Sequence, residues 1–345
     1  MSHPPLADTP VVSVIVPARD AAPTLGRTLA AISEQDLPGA FEVLLVDDGS
    51  SDETLTIARE WEPRVTIIRS EFSRGPGAAR NLGAAQARAS ILAFTDSDCF
   101  PAPGWLSAGV RAIDAGADLV QGAVRPDPAV ARTPFDRTVV VAGDAGLYPT
   151  ANVFVRRELF DSLGGFRDWL LEHEEQTGKK RRFAPADRRR QRTARTPVGE
   201  DTLFAWGGRR RGARTAFAPG AIVHHAVVPG TLRDEILDRW HWARDMPGVA
   251  ALVPELREAS FYRRWFFSRK TARFDFAVAC LALAVVTRRV APLAGTWPYL
   301  DWIVSEARRM GAADGARHAL GSVASDGATL AALLTGSATW RCLLL

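Results

Sequence analysis

Thr95-Asp96-Ser97-Asp98 closes the apolar run from Ser90 to Phe94. Two carboxylates one residue apart at the end of a buried strand are costly unless something compensates their charge. Their hard oxygens suit Mg²⁺ or Mn²⁺, and such an ion typically also holds substrate phosphates. Strand ends on the rim of a parallel sheet are where such folds bind ligands. An enzyme acting on a nucleotide diphosphate is therefore the leading expectation. A loop or helix-cap role for the pair is the alternative.

Four other clusters could do chemistry. Asp48 ends an apolar run in a tight Asp-Gly-Ser turn, where its carboxylate either accepts a hydrogen bond from a base or a ribose or serves turn chemistry alone. Gly75-Pro-Gly77-Ala-Ala-Arg80-Asn81 has the look of a phosphate-cradling loop before a helix, without Gly-Lys-Ser/Thr or a third glycine. Arg80 there neutralises a phosphate or pairs with an Asp on the rim. Glu200-Asp201 lies at a helix start, where acids either favour the dipole or act as a general base on an incoming hydroxyl. His224-His225 follows an apolar strand and could complete a metal site, or simply pack at the strand end.

The elements that must position these groups follow from the apolar pattern. Val11–Val16, Phe41–Val46, Val65–Ile68, Ile91–Phe94 and Asp118–Gly122 read as buried strands. Helices alternate with them: one opened by Pro23 with Leu25, Leu29 and Ile32 inward, one capped by Asp52, one over Ala78–Ala89, and one opened by Pro103. This alternation predicts an α/β fold, a mostly parallel sheet covered on both faces. Right-handed crossovers then bring the ends of strands one, two and four to one rim, with Pro17–Asp20, Asp47-Asp48 and Asp96–Asp98 on it. Further strands are expected at Asn152–Arg156, Thr215–Ala218 and Ala221–His225, and helices at Arg157–Leu163 and from Thr202. Beyond about Thr231 the pattern is helical throughout.

Composition bounds the class. Of 345 residues, 47% are hydrophobic and 24% charged, so a large core is available. Three scattered cysteines without Cys-x-x-Cys spacing argue against a zinc site or a disulfide framework and fit a reduced, cytoplasmic setting. Met1–Pro10 is polar and proline-rich and reads as a flexible tail without a signal peptide. The net charge of +4 is local: Lys179 to Arg195 holds nine Lys and Arg against one Asp, and the remainder is mildly acidic. No nucleic-acid partner is expected.

Taken together the motifs resemble family-2 glycosyltransferases of the GT-A fold. The resemblance runs from about Val11 to His225 and rests on Ser13–Asp20, Leu45–Thr54, Gly77–Gly83, Ala93–Asp98, Arg156–Phe166, Gly199–Asp201 and Ala218–His224, in order and spacing. It implies inverting transfer from a nucleotide sugar, a UDP-sugar being the expected donor, to an acceptor hydroxyl. It implies that Pro17, Ala18 and Asp20 line the base pocket, that Asp48 contacts the base, and that Asp96 touches the ribose or the metal. Asp98 would hold Mg²⁺ or Mn²⁺ on the diphosphate, His224 would be a further ligand, and Asp201 the catalytic base. Asp20 stands where relatives usually have Asn or Glu. A long basic insertion at about 168–198 departs from the family beside the expected acceptor site.

The domains expected are residues 11–230, split near 122 into a nucleotide-binding and an acceptor half, and a helical region 231–345. Phe261–Phe267 mixes aromatic residues with arginine, and Phe276–Val286 and Leu330–Leu345 are apolar but too short or interrupted to span a bilayer. Peripheral attachment to an anionic membrane at the inner face of the cell membrane, with a glycan or lipid-linked acceptor, is one expectation; a packed helical subdomain is the other. The basic insertion reads either as a solvated loop or as a clamp for an anionic acceptor or lipid head groups. A sugar-1-phosphate nucleotidyltransferase would need a Gly-rich basic loop directly after strand one, which this sequence lacks. A non-catalytic protein of the same fold would have no need of both Asp98 and Asp201.

Overall fold

β1 (Val12–Ala18) is buried along its whole length, and alternate side chains point to opposite faces of the sheet. Val12, Val14 and Val16 join one core with Leu25, Leu29 and Trp105, whereas Ile15 joins a second core with Leu44, Phe94 and Phe204. A strand covered on both sides is apolar almost throughout; the exception, Ser13, is satisfied, its hydroxyl donating to Glu42 Oε1 (2.7 Å) and accepting from the Ala89 amide (3.0 Å). This computed structural model describes residues 9–170, 198–310 and 312–345. Residues 1–8 of the expected tail and 171–197 of the basic insertion lie outside the described residues.

The described residues divide into two compact units, Met1–Pro128 with Thr138–Ala226, and Ala129–Arg137 with Val227–Leu345. In the first, β1 is flanked by β2 (Phe41–Asp48) and β4 (Ile91–Thr95), with β3 (Val65–Ser70) beyond β2, all parallel. The ends of β1, β2 and β4 therefore share one rim. The sheet continues through β7 (Asn152–Arg156) and β6 (Leu119–Pro126) to β8 (Thr215–His225) and β5 (Cys99–Pro101), in the order β3-β2-β1-β4-β7-β6-β8-β5. β7 runs antiparallel to both its neighbours, and β5 antiparallel to β8, so the sheet is mixed.

α1 (Ala22–Ser33), α2 (Thr54–Arg59) and α4 (Trp105–Asp114) bury Leu25, Ala58 and Trp105 in the first core. α3 (Pro76–Gln86), α5 (Arg157–Leu163) and α6 (Glu200–Arg210) cover the other face. α3 lies so close to the sheet that a Cβ at Gly83 would sit 2.6 Å from Ile15 Cγ2. Asp52 holds two helix starts at once, accepting from the amide of Thr54 and from the amide of Ala22, both at 3.0 Å.

Two strand expectations are corrected. β5 directly follows the Asp pair and was not anticipated, because three residues ending in a proline carry no periodicity. Thr215–Ala218 and Ala221–His225 form one strand, not two: its register against β6 steps from Gly122–Ala218 to Ala123–Ile222, so Pro219, Gly220 and Ala221 are taken up in a bulge.

The second unit is helical: α7 (Leu232–Leu252), α8 (Leu256–Ala259), α9 (Arg269–Thr287), a 3-10 turn (Ala291–Thr296), α10 (Trp297–Met310) and α11 (Ala312–Trp340). Capping boxes at Thr231/Asp234 and Ser268/Thr271 open α7 and α9. α11 meets α7 through small residues, since a Cβ on Gly336 would lie 2.2 Å from the Arg244 carbonyl and one on Gly248 2.6 Å from the Trp340 ring. Leu333 and Leu344 are thereby fully buried. Among the described residues no helix is long and apolar enough to cross a membrane.

Candidate active site

The Asp-Ser-Asp turn is fixed from three sides. Cys99 N donates to Asp96 O (3.1 Å), Ala226 N to Asp98 O (2.9 Å), and the Thr28 hydroxyl of α1 to Ser97 O (2.8 Å). The two carboxylates then point to different partners. Asp96 Oδ1 accepts from Arg80 Nη2 at 2.5 Å. Asp98 Oδ2 faces His225 Nε2 at 3.6 Å.

Arg80 links the two acidic motifs. It is buried on α3, and its Nη1 lies 3.8 Å from Glu200 Oε1 at the start of α6. Its Nε has no hydrogen-bond partner among the described residues. Behind it Phe94, Phe160, Phe166 and Phe204 pack in tilted and edge-on pairs, with the guanidinium 5.9 Å from the Phe166 ring. Asn81 secures Phe166 by accepting from its amide and donating to its carbonyl (2.9 and 2.7 Å). Gly165, at φ 71°, is the residue that lets the chain pass this amide, because a Cβ there would fall 2.5 Å from Asn81 Oδ1.

Electrostatically this end of the rim is overloaded with carboxylates. Burial pushes Asp98 up from the usual carboxylate range, against the pull of His225. Burial also raises Glu200, against the pull of Arg80. Asp201 is pushed up to about 7, first by burial and next by the charge of Glu200. A carboxyl poised near neutrality suits proton abstraction. α6 is docked by Thr202, whose hydroxyl donates to Leu147 O (2.6 Å), and by Trp206, whose indole donates to Gly146 O (2.8 Å).

The two histidines face different surroundings. Successive residues of a strand face opposite sides. His225 is the one beside Asp98, and His224 is turned to the surroundings of Asp127, Arg125 and Arg27, with burial lowering its pKa. His225 Nδ1 lies 2.8 Å from the carbonyl of Ala226, which can only accept, so Nδ1 carries the hydrogen. In the neutral ring the Nε2 lone pair then faces the carboxylate of Asp98. Two acceptors in that position need a proton or a cation between them. Asp98, Cys99 and His225 each offer a ligand atom within 4.8 Å of the others. The oxygen and nitrogen donors fit a divalent ion.

The β2 end is built differently. Asp48 accepts from the Ser73 hydroxyl (2.7 Å) and from the amides of Arg74 (2.8 Å) and Gly75 (3.0 Å). Asp47 accepts from Ser50 N at 3.1 Å, and Asp20 from the amide and hydroxyl of Ser51 at 2.7 and 3.0 Å. The Ser51 amide holds Asp20 below the usual carboxylate range. Pro17 and Ala18 are buried and pair with Val46 and Asp47. Beside Asp48 a cavity of about 320 Å³ opens, lined among others by Arg69, Phe72, Arg74 and Leu82. Sequence reasoning did not single out Ser73, nor Arg19, which donates to the Ser73 hydroxyl at 2.7 Å, nor Glu200 as a partner of Arg80.

Comparison with known proteins places the chain in a family. The model of "Glycosyl transferase family 2" matches residues 13–213. Glycosyltransferase AglE of Haloferax volcanii is 35% identical over 175 residues, which is 47% of this chain and 58% of that protein. Succinoglycan biosynthesis protein ExoU of Rhizobium meliloti is 37% identical over 98 residues, 28% of each chain. The matched regions thus span little more than half of the first relative and under a third of the second. Among solved structures, the mannosyltransferase PcManGT from Pyrobaculum calidifontis, in complex with GDP-Man and Mn²⁺, superposes with a TM-score of 0.55 at 21% identity, over 97% of this chain and 88% of that one. The sheet order, the covered faces and these matches together make the fold GT-A, and the chain belongs to glycosyl transferase family 2.

Proposed function

We propose that the protein is an inverting glycosyltransferase that moves a sugar from a nucleotide diphosphate, a UDP-sugar first of all, to an acceptor hydroxyl of a cell-envelope or lipid-linked glycan. The observation that carries this reading is the Asp96–Arg80–Glu200 link, which draws the Asp-Ser-Asp turn and the start of α6 into one site. A donor-side and an acceptor-side carboxylate must share a cleft for a single in-line displacement.

In this reading the cavity beside Asp48 takes the base, with Phe72 exposed at its edge and Arg69 and Arg74 offering positive charge. Pro17, Ala18 and Asp20 shape the same end through backbone and turn. Asp98 and His225 would hold Mg²⁺ or Mn²⁺, with Asp96 next to them. When bound, the ion neutralises negative charge on the leaving diphosphate. Arg80 keeps Asp96 in place and moderates Glu200 and Asp201. Asp201 takes the proton from the acceptor hydroxyl as its oxygen attacks the anomeric carbon, so the bond to the diphosphate breaks while the new C–O bond forms. One base suffices because no covalent enzyme intermediate is required.

We further propose that the protein works peripherally on the inner face of the cell membrane, where a lipid-linked acceptor would be presented. The apolar, arginine-bearing end of the helical unit supports this. The test is nucleotide release from a panel of UDP- and GDP-sugars with Mn²⁺ or Mg²⁺. The expected result is release from one donor that Asp201→Asn abolishes; full activity in that variant would remove the base from the mechanism.

A further inference from the structure

From Phe276 to Leu300 the chain contains no acidic residue, and its only charges are Arg288 and Arg289. The segment comprises most of α9, the 3-10 turn and the start of α10. A soluble helix buries one apolar stripe and turns a polar face to water. α9 does so at its beginning, where Phe274 and Ala277 pack with Tyr299 and Ile303. Beyond Leu281 it no longer does. From Leu281 to Val290 every residue but Ala284 is exposed. Val285 is 77% exposed, Val286 81%, Val290 81% and Trp297 68%. An apolar patch open on all sides of a helix end is the mark of a surface that something covers.

The charges choose between the coverings. A second copy meeting this patch symmetrically would bring Arg288 and Arg289 against their own equivalents, with no carboxylate in the segment to pair them. A bilayer interface offers both partners needed: an acyl boundary for the valines and Trp297, and lipid phosphates for the arginines. The dimensions agree as well. Leu281 to Thr287 rises about 10 Å, the depth of an interfacial element, and falls far short of the roughly 20 residues that span.

We infer that the tip formed by the end of α9, the 3-10 turn and the start of α10 inserts into the interfacial layer of an anionic bilayer, Val285, Val286, Val290 and Trp297 entering the acyl boundary while Arg288 and Arg289 bind lipid phosphates. This rests on the proposed membrane location and names the element responsible for it.

The test is co-sedimentation of the full chain with vesicles of phosphatidylcholine, alone or mixed with phosphatidylglycerol, beside gel filtration and thermal melting. Wild type should bind the mixed vesicles. Val286→Asp with Val290→Asp should weaken binding at least about tenfold. Arg288→Gln with Arg289→Gln should remove the preference for anionic lipid, a loss of about tenfold. Leu320→Asp, at a residue 76% exposed on α11, should bind like wild type. If the valine variant melts abnormally, the arginine variant decides. Unchanged binding in both tip variants would overturn the tip and leave the membrane location standing. No binding of wild type to either vesicle would overturn both. A wild-type dimer split by the valine variant, without vesicle binding, would make the patch an interface between copies.

Discussion

The ends of β2 and β4 are both acidic, and they differ in what satisfies their carboxylates. At β2, Asp47, Asp48 and Asp20 accept from amides and hydroxyls of Ser50, Ser51, Ser73, Arg74 and Gly75. These bonds tie the loops after β1, β2 and β3 to one another. Beyond β4, Asp98 faces an imidazole, Glu200 raises Asp201, and one buried guanidinium lies against both Asp96 and Glu200. Acids satisfied by the amides and hydroxyls of neighbouring loops build a frame. Acids left facing one another are where a cation and a reacting hydroxyl gain most from binding.

The sharpest way to break this contrast is Asp201→Asn. It should cost about 10²- to 10⁴-fold in turnover, the usual worth of a general base, measured as nucleotide release at saturating donor. It should not destabilise the fold. With a carboxyl near 7, the native state holds a proton between roughly pH 4 and pH 7 that the unfolded chain has released. Native Asp201 therefore binds more protons in that window, and stability falls as pH rises through it. Thermal melting of Asp201→Asn should lack that part of the slope, and wild-type kcat/KM should climb with pH towards a plateau above about 7.

Next in size is Arg80→Ala. It leaves Asp96 and Glu200 without their shared cation, and breaking one side of a buried charge cluster costs about 3–5 kcal/mol. Urea melts should show it. Asp48→Ala should cost about 3 kcal/mol because two amides and a hydroxyl lose a charged acceptor. Its effect on donor KM should exceed its effect on kcat, the reverse of Asp201→Asn. The smallest effect separates the neighbouring histidines. His225→Ala should weaken Mn²⁺ binding about 10- to 100-fold by calorimetry, while His224→Ala should leave it unchanged.

Those two histidines also mark the limit of what a sequence reveals. The parallel half was legible because strands buried on both faces are almost continuously apolar, as Val14–Val16 and Leu44–Val46 are. The rim followed from handedness. Which histidine faces Asp98 did not follow, because β8 has a three-residue bulge, Pro219 to Ala221, that resets its alternation. Arg80 was expected to meet either a phosphate or a rim carboxylate; the structure gives it Asp96, and Glu200 as well. Asp48 read as a base contact, and its bonds to a loop 25 to 27 residues onward have no local signal. In the tail, two apolar segments of like composition part ways. Leu330–Leu345 buries Leu333 and Leu344 because Gly336 and Gly248 let α7 and α11 close together, whereas the end of α9 has no such neighbour.

We propose that one pocket holds a cation at Asp98 and His225 and a base at Asp201. A crystal structure of the protein with Mn²⁺ and UDP, with anomalous data for the metal, tests it most directly. The account predicts a manganese peak bonded to Asp98 and to Nε2 of His225, with the diphosphate on the same ion and the Asp201 carboxylate opening onto the cleft beside it. Manganese on other residues, or UDP bound away from Asp98, would contradict it.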